Sequence, residues 1–335
     1  MMISSLTMLL VATIPNSTIA AASPSKSSVA LSQQIDSYVE KASRTDGIRL
    51  PAIVSDDLFL RRISLDLLGR IPTRDELLQF RANPDRARAV ALMLEHQDFA
   101  KFWSRVWTAN LIGYSSDGRT DREALRQWLE LKFASETSLD EIAAELISSE
   151  GKAAFDGSVN FMLRHAQDPV VPVGRIFLGV QLDCARCHDH PFDRWTQQDF
   201  EGMRRFFSRM RPRQVTAGDY ELRDARGEGE KPQFLTGRQP RTGRWRQELA
   251  LMITQSKPFG RAMANRLWYH FMGRGIGIEP DSVNGDNRSE HQALIESLAG
   301  VLRDSGYQLK PIILAICNSK TYQRRLSSSD PDWPL

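Results

Sequence analysis

Residues 56–76 read DDLFLRRISLDLLGRIPTRDE. Leu58, Ile63, Leu65, Leu67 and Leu68 recur at helical intervals, the pattern of a helix that buries one stripe of its surface. Gly69 and Pro72 then end it, because glycine accepts the left-handed conformation of a helix stop and proline cannot extend the hydrogen-bond ladder. Thr73 and Glu76 stand three residues apart, the spacing of a capping box that opens the next helix. A helix, its stop and its successor's start thus follow one another with no strand signal between them.

The same grammar extends in both directions. The pattern is helical from residue 31 to about 112, with a new start at Asn83-Pro84 and an aromatic stripe of Phe99, Phe102, Trp103, Val106 and Trp107. Such a stripe at helical spacing belongs to a core rather than to a cofactor box. Further helices are expected over 120–133 and from Ser138, where Glu141 completes a cap, to a close at Gly151. Asp168-Pro169 precedes an apolar run over 170–182, and Thr196 with Asp199 opens a helix carrying Phe200, Met203, Phe206 and Phe207. Between 211 and 244 glycines alternate with charges and prolines, the texture of loops and short strands. Helical periodicity returns over 245–256, 258–272, 289–304 and 311–317. The expected fold is all-α: a helical part over 31–210 and a second over 245–328, packed together and joined by the 211–244 segment.

The chain has 335 residues, 41% hydrophobic and 25% charged, with a net charge of +3. Its Lys and Arg are interspersed with Asp and Glu, and no basic run accompanies a nucleic-acid motif, so no nucleic-acid partner is expected. An apolar stretch over 6–14 leads to Ala20-Ala21-Ala22-Ser23. That resembles a secretory signal over 1–22, which places the mature chain in the periplasm or outside the cell. No later stretch reaches the ~20 apolar residues of a membrane span, so no transmembrane segment is expected in the mature chain. Three cysteines are too few for a disulfide framework to hold such a fold together.

The chemistry concentrates at Cys184-Ala185-Arg186-Cys187-His188. C-x-x-C-H is the attachment signature of haem c. On one helical turn, positions 184, 187 and 188 share a face, so two thiols can add to the vinyl groups of one porphyrin while the imidazole reaches the iron. In this reading Met203 is a candidate sixth ligand. A second reading is a non-haem zinc or iron site built from Cys184, Cys187, His188, His190 and Asp193. A third is a disulfide or free dithiol with His188 as a bystander. Asp193 suits either orienting an imidazole or closing a loop. No nucleophile elbow, Walker loop or dinucleotide fingerprint is present.

The segment FLGVQLD over 177–183, followed by CARCHDHPFDRWTQQDF over 184–200, resembles the hallmark of a cytochrome-c-like planctomycete family of unknown function, the second planctomycete cytochrome domain. FLRRISLDLLGRIPT over 59–73 is similar to the hallmark at the start of that family. AMANRLWYHFMGRG over 262–275 and NSKTYQ over 318–323 resemble its companion C-terminal planctomycete domain. The resemblance spans about 56–325 and implies an exported protein. It carries Cys184, Cys187, His188, His190 and Asp193 over as the motif residues. It names no activity, and the partner it leaves open is a redox protein or a cell-surface component. Because relatives accompany carbohydrate-related modules, it also implies an alternative: a periplasmic or surface binding scaffold linked to polysaccharide processing, whose Cys/His cluster holds a structural non-haem metal.

Overall fold

The computed structural model describes residues 26–115, 117–191, 193–226, 229–276 and 289–325. The signal-like segment over 1–22 lies outside them. Seven helices come first: α1 (Lys26–Thr45), α2 (Asp56–Leu68), α3 (Arg74–Ala82), α4 (Arg86–Leu94), α5 (Gln97–Ile112), α6 (Arg122–Ala134) and α7 (Leu139–Ser148). Then come β1 (Gly151–Lys152), α8 (Val159–Arg164), α9 (Val170–Val173), α10 (Gln197–Arg205), β2 (Met210–Thr216) and β3 (Asp219–Asp224). The chain continues through α11 (Trp245–Thr254), α12 (Lys257–Met272), α13 (Ser289–Asp304), α14 (Leu309–Asn318) and α15 (Lys320–Gln323). The fold is helical throughout, apart from one small antiparallel sheet of order β1-β3-β2.

The local signals act much as expected, except in the stripe of α2. There Leu58 and Leu65 are exposed, and Phe59 and Leu60 join Ile63, Leu67 and Leu68 on the buried face, because the 3.6-residue period turns that set inward together. Gly69 caps α2 in the left-handed conformation (φ 67°), its N–H donating to Leu65 O at 3.0 Å. The Thr73–Glu76 box is formed in both directions, at 3.2 and 2.7 Å. Two starts fall elsewhere than expected. Asn83 closes α3, and Asp85 opens α4 by accepting from Arg88 N at 2.9 Å. The helix expected over 120–133 starts at Arg122, with Asp121 as its cap. Ser138 occupies the cap position of α7, but its side chain makes no capping hydrogen bond. Within 211–244 the strands are one hairpin, β2–β3, turning at Gly218 (φ 82°) with Pro212 opposite Leu222.

One continuous core runs through both helical parts. It includes Phe59, Trp103, Leu146 and Phe161 before the hairpin, and Leu249, Trp268, Ile313 and Tyr322 after it. Helix α1 packs on α13 and α14, α4 on α14, and α7 on α11. The segment over 322–325 is also tied to the start of the first part. Val54 N donates to Gln323 O and Arg325 N to Ala52 O, both at 2.9 Å. Arg62 of α2 donates to the carbonyls of Tyr322 and Arg324, and the Tyr322 hydroxyl donates to Asp66 Oδ2 at 2.6 Å. Arg246 of α11, fully buried, pairs with Asp224 of β3 and donates to Ile147 O and Ser149 O at the C-terminal end of α7. Among the described residues no helix is long and apolar enough to cross a membrane.

Candidate functional site

The Cys-Cys-His motif is presented by a buried lead-in. After α9, one wide turn over Gly174–Leu178 ends at Gly179 (φ 62°), and Val180 N folds back to donate to Gly174 O at 3.1 Å. Val180 and Leu182 are buried, so the chain reaches Asp183 already anchored. There it makes a single 3₁₀ turn, with Ala185 N donating to Leu182 O at 3.1 Å and Arg186 N to Asp183 O at 3.3 Å. The turn is tighter than the α-helical turn expected, and a 3₁₀ turn brings residues three apart into line. Ala185, at 0% exposure, pins it to the core. Cys184, Cys187 and His188 are exposed, and neither thiol is in a disulfide.

His188 is oriented by its neighbour. Its Nδ1 lies 2.8 Å from Asp189 O. A carbonyl only accepts, so Nδ1 carries the proton and Nε2 keeps the lone pair, the arrangement of a metal-ligating imidazole. Asp189 is itself held: its Oδ1 accepts from Gln197 N at 2.9 Å at the start of α10. That helix is opened by the Thr196–Asp199 capping box, at 3.2 and 2.9 Å. Gln197 Nε2 also donates to Arg186 O at 3.4 Å. The guanidinium of Arg186, between the two cysteines, pairs with Asp168 and lies 5.7 Å from the Phe200 ring.

The remaining candidates are placed differently. His190 is half-buried, and its N–H donates to Trp195 O at 2.8 Å, closing the loop after the motif. Asp193 is exposed and accepts from Arg194 N at 2.7 Å. Met203 is fully buried on the inner face of α10 with Phe200, and the buried Phe206 and Phe207 follow the end of that helix. Among the described residues no group of three or more His, Cys, Asp or Glu is gathered to hold a metal ion. Cys184, Cys187, His188, His190 and Asp193 therefore share a segment but not a preformed coordination sphere. The roles of Asp189 and Asp168 were not legible in the sequence; only the nearness of Asp189 to the Thr196 cap hinted at one of them.

The donor set fits covalent haem attachment. Two accessible thiols lie three residues apart on one turn, and the imidazole beside them has an open Nε2.

Comparison with known proteins agrees with the motif resemblance. The family PSCyt2, described as a protein of unknown function (DUF1549), matches residues 34–212. PSD1, likewise described as of unknown function (DUF1553), matches residues 245–333. No curated protein and no solved structure matches the chain.

Proposed function

The chain belongs to the PSCyt2 family, with a PSD1 region following, and on that basis we propose an exported protein that carries one haem c and serves electron transfer or redox sensing. The observation supporting this reading is the motif turn: Cys184 and Cys187 free and exposed on one 3₁₀ turn, and His188 with Nδ1 held by Asp189 O. Cys184 and Cys187 would hold the porphyrin and His188 Nε2 its iron. Bound there, the haem supplies a one-electron couple. The chain's own residues supply position. Ala185 fixes the turn to the core, Asp189 joins it to α10, and the hydrogen bond from Nδ1 to Asp189 O sets the ring's tautomer. Met203 faces the core and has no part in this reading. Export rests on the apolar stretch over 6–14 and Ala20-Ala21-Ala22, and it would deliver the thiols to the compartment where haem c is attached.

Co-expression with a cytochrome maturation system tests the proposal. The wild type should carry haem that stays with the chain through denaturing electrophoresis. Cys184→Ser and Cys187→Ser should each lose one thioether, and the double substitution all covalent haem. His188→Ala should retain little. A colourless protein holding stoichiometric zinc or iron and no porphyrin would refute the haem reading in favour of a structural metal. N-terminal sequencing of the mature chain should begin near residue 23, and a chain that starts at Met1 would refute export.

A further inference from the structure

Beside the motif turn lies a polar cavity of about 380 Å³. Asp117 and Arg119 line it from the connection between α5 and α6, Arg164 from the last position of α8, and His165, Gln167 and Asp168 from the connection between α8 and α9. Most of its charges are already paired. Asp117 Oδ2 lies 3.4 Å from Arg164 Nη1, while its Oδ1 accepts from Arg119 N, Thr120 N and Thr120 Oγ1. Asp168 pairs with Arg186 of the motif turn. Arg164 Nη2 donates to Ser115 Oγ at 2.8 Å. The guanidinium of Arg119 makes no hydrogen bond or ion pair with the described residues, so the wall carries one uncompensated positive charge.

His165 adds an acceptor. Its Nε2 donates to Leu111 O at 2.8 Å, so Nδ1 holds the lone pair. Burial lowers its pKa, which keeps the ring neutral near pH 7. A guanidinium fork matches a carboxylate, and an imidazole lone pair accepts from a hydroxyl. We propose that this cavity binds a small hydroxylated monocarboxylate, with its carboxylate on Arg119 and a hydroxyl donating to His165 Nδ1. Through Asp168 and Arg186 the bound molecule would sit one ion pair from the motif turn, but the assignment does not depend on haem.

Calorimetric titration of the full chain with glycerate, acetate and glycerol tests it. Glycerate should bind saturably, acetate more weakly and glycerol not at all. Arg119→Gln, at a half-buried position whose guanidinium holds no described partner and so expected to melt with the wild type, should weaken glycerate binding by roughly tenfold or more, and Arg119→Lys should recover part of it. His165→Phe should reduce glycerate to the affinity of acetate. If that variant fails to fold, the glycerate-to-acetate ratio of the wild type carries the same information. No saturable carboxylate binding, glycerate binding unchanged in Arg119→Gln, or equal affinity for glycerate and acetate in the wild type would each overturn the proposal.

Discussion

Replacing Tyr322 by Phe removes one hydroxyl at the point where α15 is clasped to α2. The ring is 2% exposed, packs 5.9 Å from the Phe271 ring and has the Arg62 guanidinium 5.5 Å from its centroid; phenylalanine keeps all of this. The substitution takes away the 2.6 Å hydrogen bond to Asp66 Oδ2 and leaves a half-buried carboxylate short of a donor. A hydrogen bond to a charged group contributes about 1.5–3 kcal/mol. Burial already raises the Asp66 pKa, and the Tyr322 hydroxyl pulls it down, so without that hydroxyl the carboxyl is driven toward its neutral form. Proton uptake limits the loss to about 2 kcal/mol, or roughly 3 °C in Tm for a chain of this length. Urea unfolding of wild type, Tyr322→Phe, Asp66→Ala and the double variant measures it. A coupling of about 1 kcal/mol between the two sites is expected, within the range for residues in contact. A Tyr322→Phe protein within about 0.5 kcal/mol of wild type, or losses that add without coupling, would refute the clasp.

The other expectations concern the same framework. Because burial raises the folded pKa of Asp66 above the ordinary 3.8, the stability due to its neutral form is complete below that value and is lost as pH rises through the folded pKa. Asp66→Asn stays neutral and still accepts from Tyr322, so it should match wild type near pH 3.8 and be at least as stable at pH 7; melting curves that show it distinctly less stable at pH 7 would contradict this. Arg246→Met strands Asp224 and the carbonyls of Ile147 and Ser149, and chemical denaturation should show a loss of about 3 kcal/mol, the lower end for a broken buried pair because Asp224 is partly solvated. Gly69→Ala forces a side chain into the left-handed region and puts its Cβ 2.2 Å from Phe102 Cδ2. It should cost about 2–4 kcal/mol, and in a Phe102→Ala background only the backbone part, ~1–2 kcal/mol, should remain.

Much of the fold could be read from the chain because helix signals are local. The Gly69 stop, the Thr73–Glu76 box and the Thr196–Asp199 box each join residues within four positions of one another, so their geometry follows from spacing alone. The β2–β3 hairpin could not be read so plainly. β2 is the edge strand, exposed everywhere except Met210, and a strand without a buried face writes no alternating pattern. The helix starts at Asp85 and Asp121 fell near residues with equally good capping chemistry, and the choice between neighbours is made by the direction in which the chain enters the core.

The sequence by itself determined the helical class, the order of the two family regions and the Cys184, Cys187 and His188 set, since all three are properties of residues close together along the chain. Tertiary structure alone decided which charges and polar groups from distant segments work together. Asp66 meets Tyr322 across 256 positions, and Asp168 reaches Arg186 from the far side of a buried run. It also decided that Met203 fills the core while the motif cysteines face solvent. The physical reason is that hydrophobic burial constrains which face of an element turns inward but carries no memory of sequence distance, so partners from distant segments are fixed only when the core closes.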